Sequence, residues 1–250
     1  MPPWCLPSDG SVFEHHFKGY SVWLEPEPSA SRPLQTIMNE LADKCGGKEC
    51  GLASFEPHVT LLYNIQLEDT CTASNDGSRN GGCMKRDGVG DAATSRAYDL
   101  LRRCLREYER LVDSSEPIPM KATRYYYFPY PKSADDGRGF GCVISMLLIE
   151  NNRQLQAIHD AAKTVFPPDE RHGEAGGSFQ PHMALVYAPE QCGKELERWT
   201  DSKNTERIDQ FSLMKAQTLS IWRTEGTIDN WNRVASLELG SGVSIFQKET

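Results

Sequence analysis

The sequence predicts an α+β fold with mostly antiparallel sheets, and three observations carry that expectation. Strand-like and helix-like segments alternate without a strict βαβ rhythm. A nonapeptide recurs in the two halves of the chain, as expected of two related lobes. The 250 residues, 38% hydrophobic, suffice to bury one core.

Tyr20-Ser21-Val22-Trp23-Leu24 reads as the first strand, after an irregular segment over 1–19. Ser31 then reads as a helix N-cap with Pro33 in the first turn. Leu34, Ile37, Met38 and Leu41 follow at helical spacing, and Gly46-Gly47 ends the helix. Pro57 to Ile65 reads as a second strand. From Glu68 to Asp91 periodicity vanishes and turn formers dominate, predicting a flexible insertion. Tyr98, Leu101, Leu105, Tyr108 and Val112 mark an amphipathic helix.

Lys121 to Phe128 and Phe140 to Ile149 read as paired strands, joined by a loop with Pro131, Asp135, Asp136 and Gly137. Leu155, Ile158, Ala162 and Val165 give a helix stopped by Pro167-Pro168. A Gly-rich loop, Gly173 to Ser178, leads into a strand from Pro181 to Tyr187. A short helix follows, roughly Glu190 to Trp199, and strands over Phe211 to Trp222 and Trp231 to Leu239 close the domain. One domain over 20–239 is expected, with a tail over 240–250.

The net charge of −8 and pI near 5.3 disfavour long nucleic acids, which require clustered cations. The basic run Leu101 to Arg106 reads as a solvated helix face. No bilayer-length apolar run and no secretory start are present, so a cytoplasmic location is expected, with no membrane partner. The eight cysteines form no C-x-x-C pair. Reduced thiols are expected, zinc is not favoured, and a loop disulfide is left open.

The two nonapeptides are Phe55-Glu56-Pro57-His58-Val59-Thr60-Leu61-Leu62-Tyr63 and Phe179-Gln180-Pro181-His182-Met183-Ala184-Leu185-Val186-Tyr187, with five identities in register. A lone histidine in an apolar strand is ordinarily a core residue. Two in the same local frame reverse that preference. In a strand, residues two apart share a face, so His58 goes with Thr60 and His182 with Ala184. Two imidazoles facing one groove can supply the base and the acid that open a cyclic phosphodiester, each transfer worth roughly 10²–10⁴-fold. No cofactor or metal is called for by this chemistry. His15, His16, His159 and His172 are expected to be surface or partly buried residues.

At these residues the sequence resembles the two-histidine (2H) phosphoesterases, which carry paired His-x-Thr/Ser motifs, and within them the eukaryotic cyclic phosphodiesterases. Tyr20 to Trp23 and Phe211 to Leu239 resemble the family's first and closing strands. The resemblance implies a bilobal fold, with two pseudo-symmetric lobes of antiparallel sheet, outer helices and a central cleft. It implies hydrolysis of ADP-ribose 1″,2″-cyclic phosphate and of nucleoside 2′,3′-cyclic phosphates to 2′-phosphates, among the by-products of RNA splicing; a monomer is expected. By the same carry-over His182 activates water, His58 protonates the leaving oxygen, Thr60 binds phosphate, and Trp23 and Tyr187 line the cleft. Strict alternation would place Tyr187 on the face opposite His182. The chain departs from the family at Ala184, where a Ser or Thr is usual. Losing that hydroxyl would slow turnover roughly 10- to 100-fold. A 2H enzyme acting on RNA ends or 2′,5′-linked oligonucleotides, and a nucleotide-binding module without activity, are the competing readings.

Overall fold

The computed structural model describes residues 19–45, 55–67, 89–113, 116–130, 142–166, 179–205, 208–225 and 230–240. The expected N-terminal segment up to residue 18, most of the 68–91 insertion, the Pro131–Gly137 and Gly173–Ser178 loops, His15, His16, His172 and the tail beyond 240 lie outside them.

The elements run β1 (Tyr20–Pro26), α1 (Pro28–Lys44), β2 (Val59–Ile65), α2 (Val89–Val112), β3 (Ile118–Met120), β4 (Ala122–Tyr130), β5 (Cys142–Ile149), α3 (Arg153–Val165), β6 (His182–Pro189), α4 (Gly193–Thr205), β7 (Met214–Arg223) and β8 (Asn232–Glu238). The α+β expectation holds. Two antiparallel sheets form, one ordered β2-β1-β7-β3 with β8 also on β7, the other β4-β5-β6.

Most boundaries follow local chemistry. Asn152 caps α3 by accepting from the Gln154 and Leu155 backbone N–H groups, and the helix ends before Pro167. Helix α1 corrects one expectation: it begins at Pro28 with Glu27 as N-cap, so Ser31 lies inside it. Pro28 explains the earlier start, because proline's fixed φ and missing N–H suit the first helical position. Strand β3 was not apparent, since Ile-Pro-Met is short and carries a proline; among the described residues it stands at an edge, paired to β7.

The helices exchange lobes. Helix α1 follows β1 of the larger sheet and packs on β6 of the smaller one, while α3 follows β5 and packs on β2. Buried Leu34, Met38 and Leu41 sit on α1, and Leu155, Ile158, Ala162 and Val165 on α3. Each such side chain contributes about 1.5–3 kcal/mol when removed from water. Each strand that follows a repeated histidine motif is thus backed by the other lobe's helix, and the edge strands β2 and β6 come into contact. Among the described residues no helix is long and apolar enough to cross a membrane.

Candidate active site

The two nonapeptides occupy equivalent places. His58 immediately precedes β2 and His182 opens β6. His58 Nδ1 lies 2.6 Å from the Glu56 carbonyl oxygen and His182 Nδ1 lies 2.9 Å from that of Gln180. A carbonyl only accepts, so both Nδ1 atoms carry the proton and donate. In each neutral ring the lone pair is therefore on Nε2.

Both strands carry a bulge at the same position of the repeat. On β2, Trp23 pairs with Thr60 and Val22 with Leu62, so Leu61 is the additional residue. On β6, Met146 pairs with Ala184 and Ser145 with Val186, so Leu185 is the additional residue. A bulge shifts the alternation by one. Tyr187 consequently pairs with Ile144, on the same face as Met146 and Leu148, which pair with Ala184 and His182. Strict alternation is thus corrected: Tyr187 shares the face of His182, five residues away. Its ring lies 5.6 Å from that of Phe55, which in turn stands edge-on 5.7 Å from His58.

The same register sets Thr60 against Ala184 as repeat counterparts, and Trp23 against Met146. Thr60 is half-buried; Ala184 is buried and carries no hydroxyl.

The two imidazoles have different environments. His58 is 6% exposed, and Trp23 lies flat on it with centroids 3.5 Å apart and planes 6° from parallel. Burial, and secondarily the charge of neighbouring His182, lower the His58 pKa to about 3 against the raising effect of the Glu56 carbonyl. His58 is therefore neutral near pH 7. His182 is partly exposed.

Trp23 is 2% exposed and held between His58, just before β2, and Trp222 on β7, the latter at 4.5 Å. Its stacking surface serves the histidine beneath the site instead of an open cleft wall. Sequence reasoning missed what lies behind it. Glu25 Oε1 accepts from Ser220 Oγ at 2.5 Å and Trp222 Nε1 at 2.8 Å, and Oε2 accepts from Arg233 at 2.9 Å. No local signal points to that cluster, which joins residues about two hundred positions apart.

The remaining candidates are structural. His159 stacks on Phe179 at 4.1 Å, and burial lowers its pKa. Cys45, Cys104 and Cys192 are buried, and burial pushes the Cys104 thiol up to about 12.

No protein-family model and no curated protein matches the chain. Among solved structures it is similar to one entitled "Structure of Kluyveromyces marxianus Usb1", at 9% identity and a TM-score of 0.42, over 89% of this chain and 98% of that one. At that identity and score the likeness assigns no residue and no activity here.

Proposed function

We propose that the chain is a metal-independent cyclic phosphodiesterase that opens small nucleotide cyclic phosphates by paired-histidine acid–base catalysis. The observation that carries this reading is the matched pair itself. Two imidazoles, each with Nδ1 tied to the carbonyl two residues back, stand at the starts of adjoining edge strands, close enough for one charge to be felt by the other.

The asymmetry between the rings favours a division of labour opposite to the one the family resemblance implies. A neutral His58 has no proton on Nε2 to give, but has a lone pair there to accept one. An arriving phosphate anion would strengthen that base, because nearby negative charge favours the protonated ring. His182, partly exposed to water, then takes the acid's role.

For a nucleoside 2′,3′-cyclic phosphate, His58 removes a proton from water as its oxygen attacks phosphorus. The P–O3′ bond breaks, and His182 delivers a proton to the departing 3′ oxygen. The product is a 2′-phosphate. ADP-ribose 1″,2″-cyclic phosphate would open in the same manner to the 1″-phosphate. Thr60 donates its hydroxyl to a phosphate oxygen and offsets the charge that develops there. Tyr187 and Phe55 flank the pair, and the acidic charge of the chain suits a small ligand better than a long RNA.

Phosphorus NMR of adenosine 2′,3′-cyclic phosphate, with and without chelator, tests the reading. The 2′-phosphate should accumulate in both samples, and His58→Ala and His182→Ala should each abolish it. Absence of conversion by folded protein, or its loss with chelator, would overturn the proposal.

A further inference from the structure

The three-stranded sheet has two faces of different character. Tyr125 and Tyr127 of β4 turn towards α4: Tyr125 meets Trp199 edge-on at 5.2 Å, and the Tyr127 hydroxyl crowds Gly193. The alternate residues Arg124, Tyr126 and Phe128 are on the opposite face.

That is the face of His182. Arg124 pairs with Leu148, which pairs with His182; Tyr126 pairs with Met146, which pairs with Ala184; Phe128 pairs with Ile144, which pairs with Tyr187. Three rows therefore run from the second nonapeptide across the sheet, each ending in a flat side chain. At two strand spacings the platform is roughly 10 Å from the histidine strand, measured along the sheet. That distance is on the scale of a ribose and its base.

The platform is built for stacking. The Arg124 guanidinium lies 5.2 Å from the Tyr126 centroid, and the Phe128 ring is 6.4 Å away, tilted by 32°. Tyr126 is 37% exposed, so part of its ring is open to solvent and free to meet a ligand. Aromatic rings joined by arginine are the side chains on which nucleobases stack without sequence preference.

We propose that Arg124, Tyr126 and Phe128 form a nucleobase subsite, so that the substrate is a cyclic phosphate still bearing its base. This rests on the cyclic phosphodiesterase reading and adds to it what holds the far end of the molecule. The phosphate sits between His58 and His182, the sugar crosses the row of Met146, and the base stacks on Tyr126.

The test compares wild type, Tyr126→Ala and Tyr126→Phe on adenosine 2′,3′-cyclic phosphate and on base-free 1-O-methylribose 2′,3′-cyclic phosphate. Tyr126→Ala should raise KM for the nucleotide roughly 5- to 150-fold, leave kcat nearly unchanged, and leave the base-free substrate unaffected. Tyr126→Phe should resemble wild type. Equal effects on both substrates, or none on either, would overturn the subsite. If wild type opens neither compound, the catalytic reading fails on its own. Calorimetric binding of 2′-AMP then decides the subsite: weaker binding to Tyr126→Ala supports it, and equal or absent binding overturns it.

Discussion

The Trp23 indole lies flat against the His58 imidazole, 3.5 Å between centroids and 6° from parallel. Trp23 on one side and Phe55 at the edge enclose a ring that prefers to hold no proton. This contact ties stability to pH, since the same burial keeps His58 neutral in the folded chain.

Acid should therefore destabilise the protein through His58. Its pKa is about 3 folded and 6.5 as the reference value. Between those limits the unfolded chain binds a proton that the folded chain refuses, so stability falls as pH drops through that window. From about pH 7 to about pH 4 this amounts to roughly 3 kcal/mol. Urea unfolding at both pH values should show a smaller acid loss for His58→Gln than for wild type. His159, also lowered by burial, leaves part of the slope in place. An identical loss in both proteins would refute the coupling.

The Ala184 position predicts a gain of function. Its register equivalence with Thr60 means that a hydroxyl added there would stand on the second histidine's face. Ala184→Ser should raise kcat/KM for a cyclic nucleotide roughly 10- to 100-fold, the worth of one hydrogen bond to a charged phosphate. Unchanged or lower turnover in a folded variant would remove position 184 from the phosphate site.

Periodicity and turn chemistry made most of the fold legible. Apolar spacing in Leu34–Leu41 and Leu155–Val165 marks helices α1 and α3, and the two Phe-x-Pro-His frames mark the histidine strands. What was not legible depends on pairing between distant strands. Nothing in Leu61 or Leu185 announces a bulge, yet the bulge at Leu185 decides which face Tyr187 joins. The stacking of Trp23 on His58 likewise requires β1 beside β2. Alternation in Arg124, Tyr126 and Phe128 was visible in principle, but only the sheet order relates it to His182.

Asn152 supplies a stability prediction independent of the chemistry. Its Oδ1 accepts from Gln154 N at 3.0 Å and Leu155 N at 2.9 Å, while its Nδ2 donates to the Pro119 carbonyl at 2.9 Å. Asn152→Ala should cost about 1–2 kcal/mol in denaturant unfolding. A loss below a few tenths would show that neither the cap nor the tie to β3 matters.

Glu25 reaches His58 through two stacked rings. Its carboxylate holds Ser220, Trp222 and Arg233, and the Arg233 guanidinium lies 5.2 Å from the Trp222 ring centroid. A glutamine there keeps one acceptor oxygen but turns an NH2 group towards donors that expect an acceptor. Glu25→Gln should therefore lower stability by about 1.5–3 kcal/mol, the range for a hydrogen bond to a charged group. Because Trp222 stacks on Trp23 and Trp23 on His58, the near-ultraviolet circular dichroism of the indoles should change too. Turnover should fall less than in His58→Ala, since Glu25 acts by positioning and not by proton transfer. A Glu25→Gln protein with wild-type stability and an unaltered tryptophan spectrum would show that the stack holds without its carboxylate.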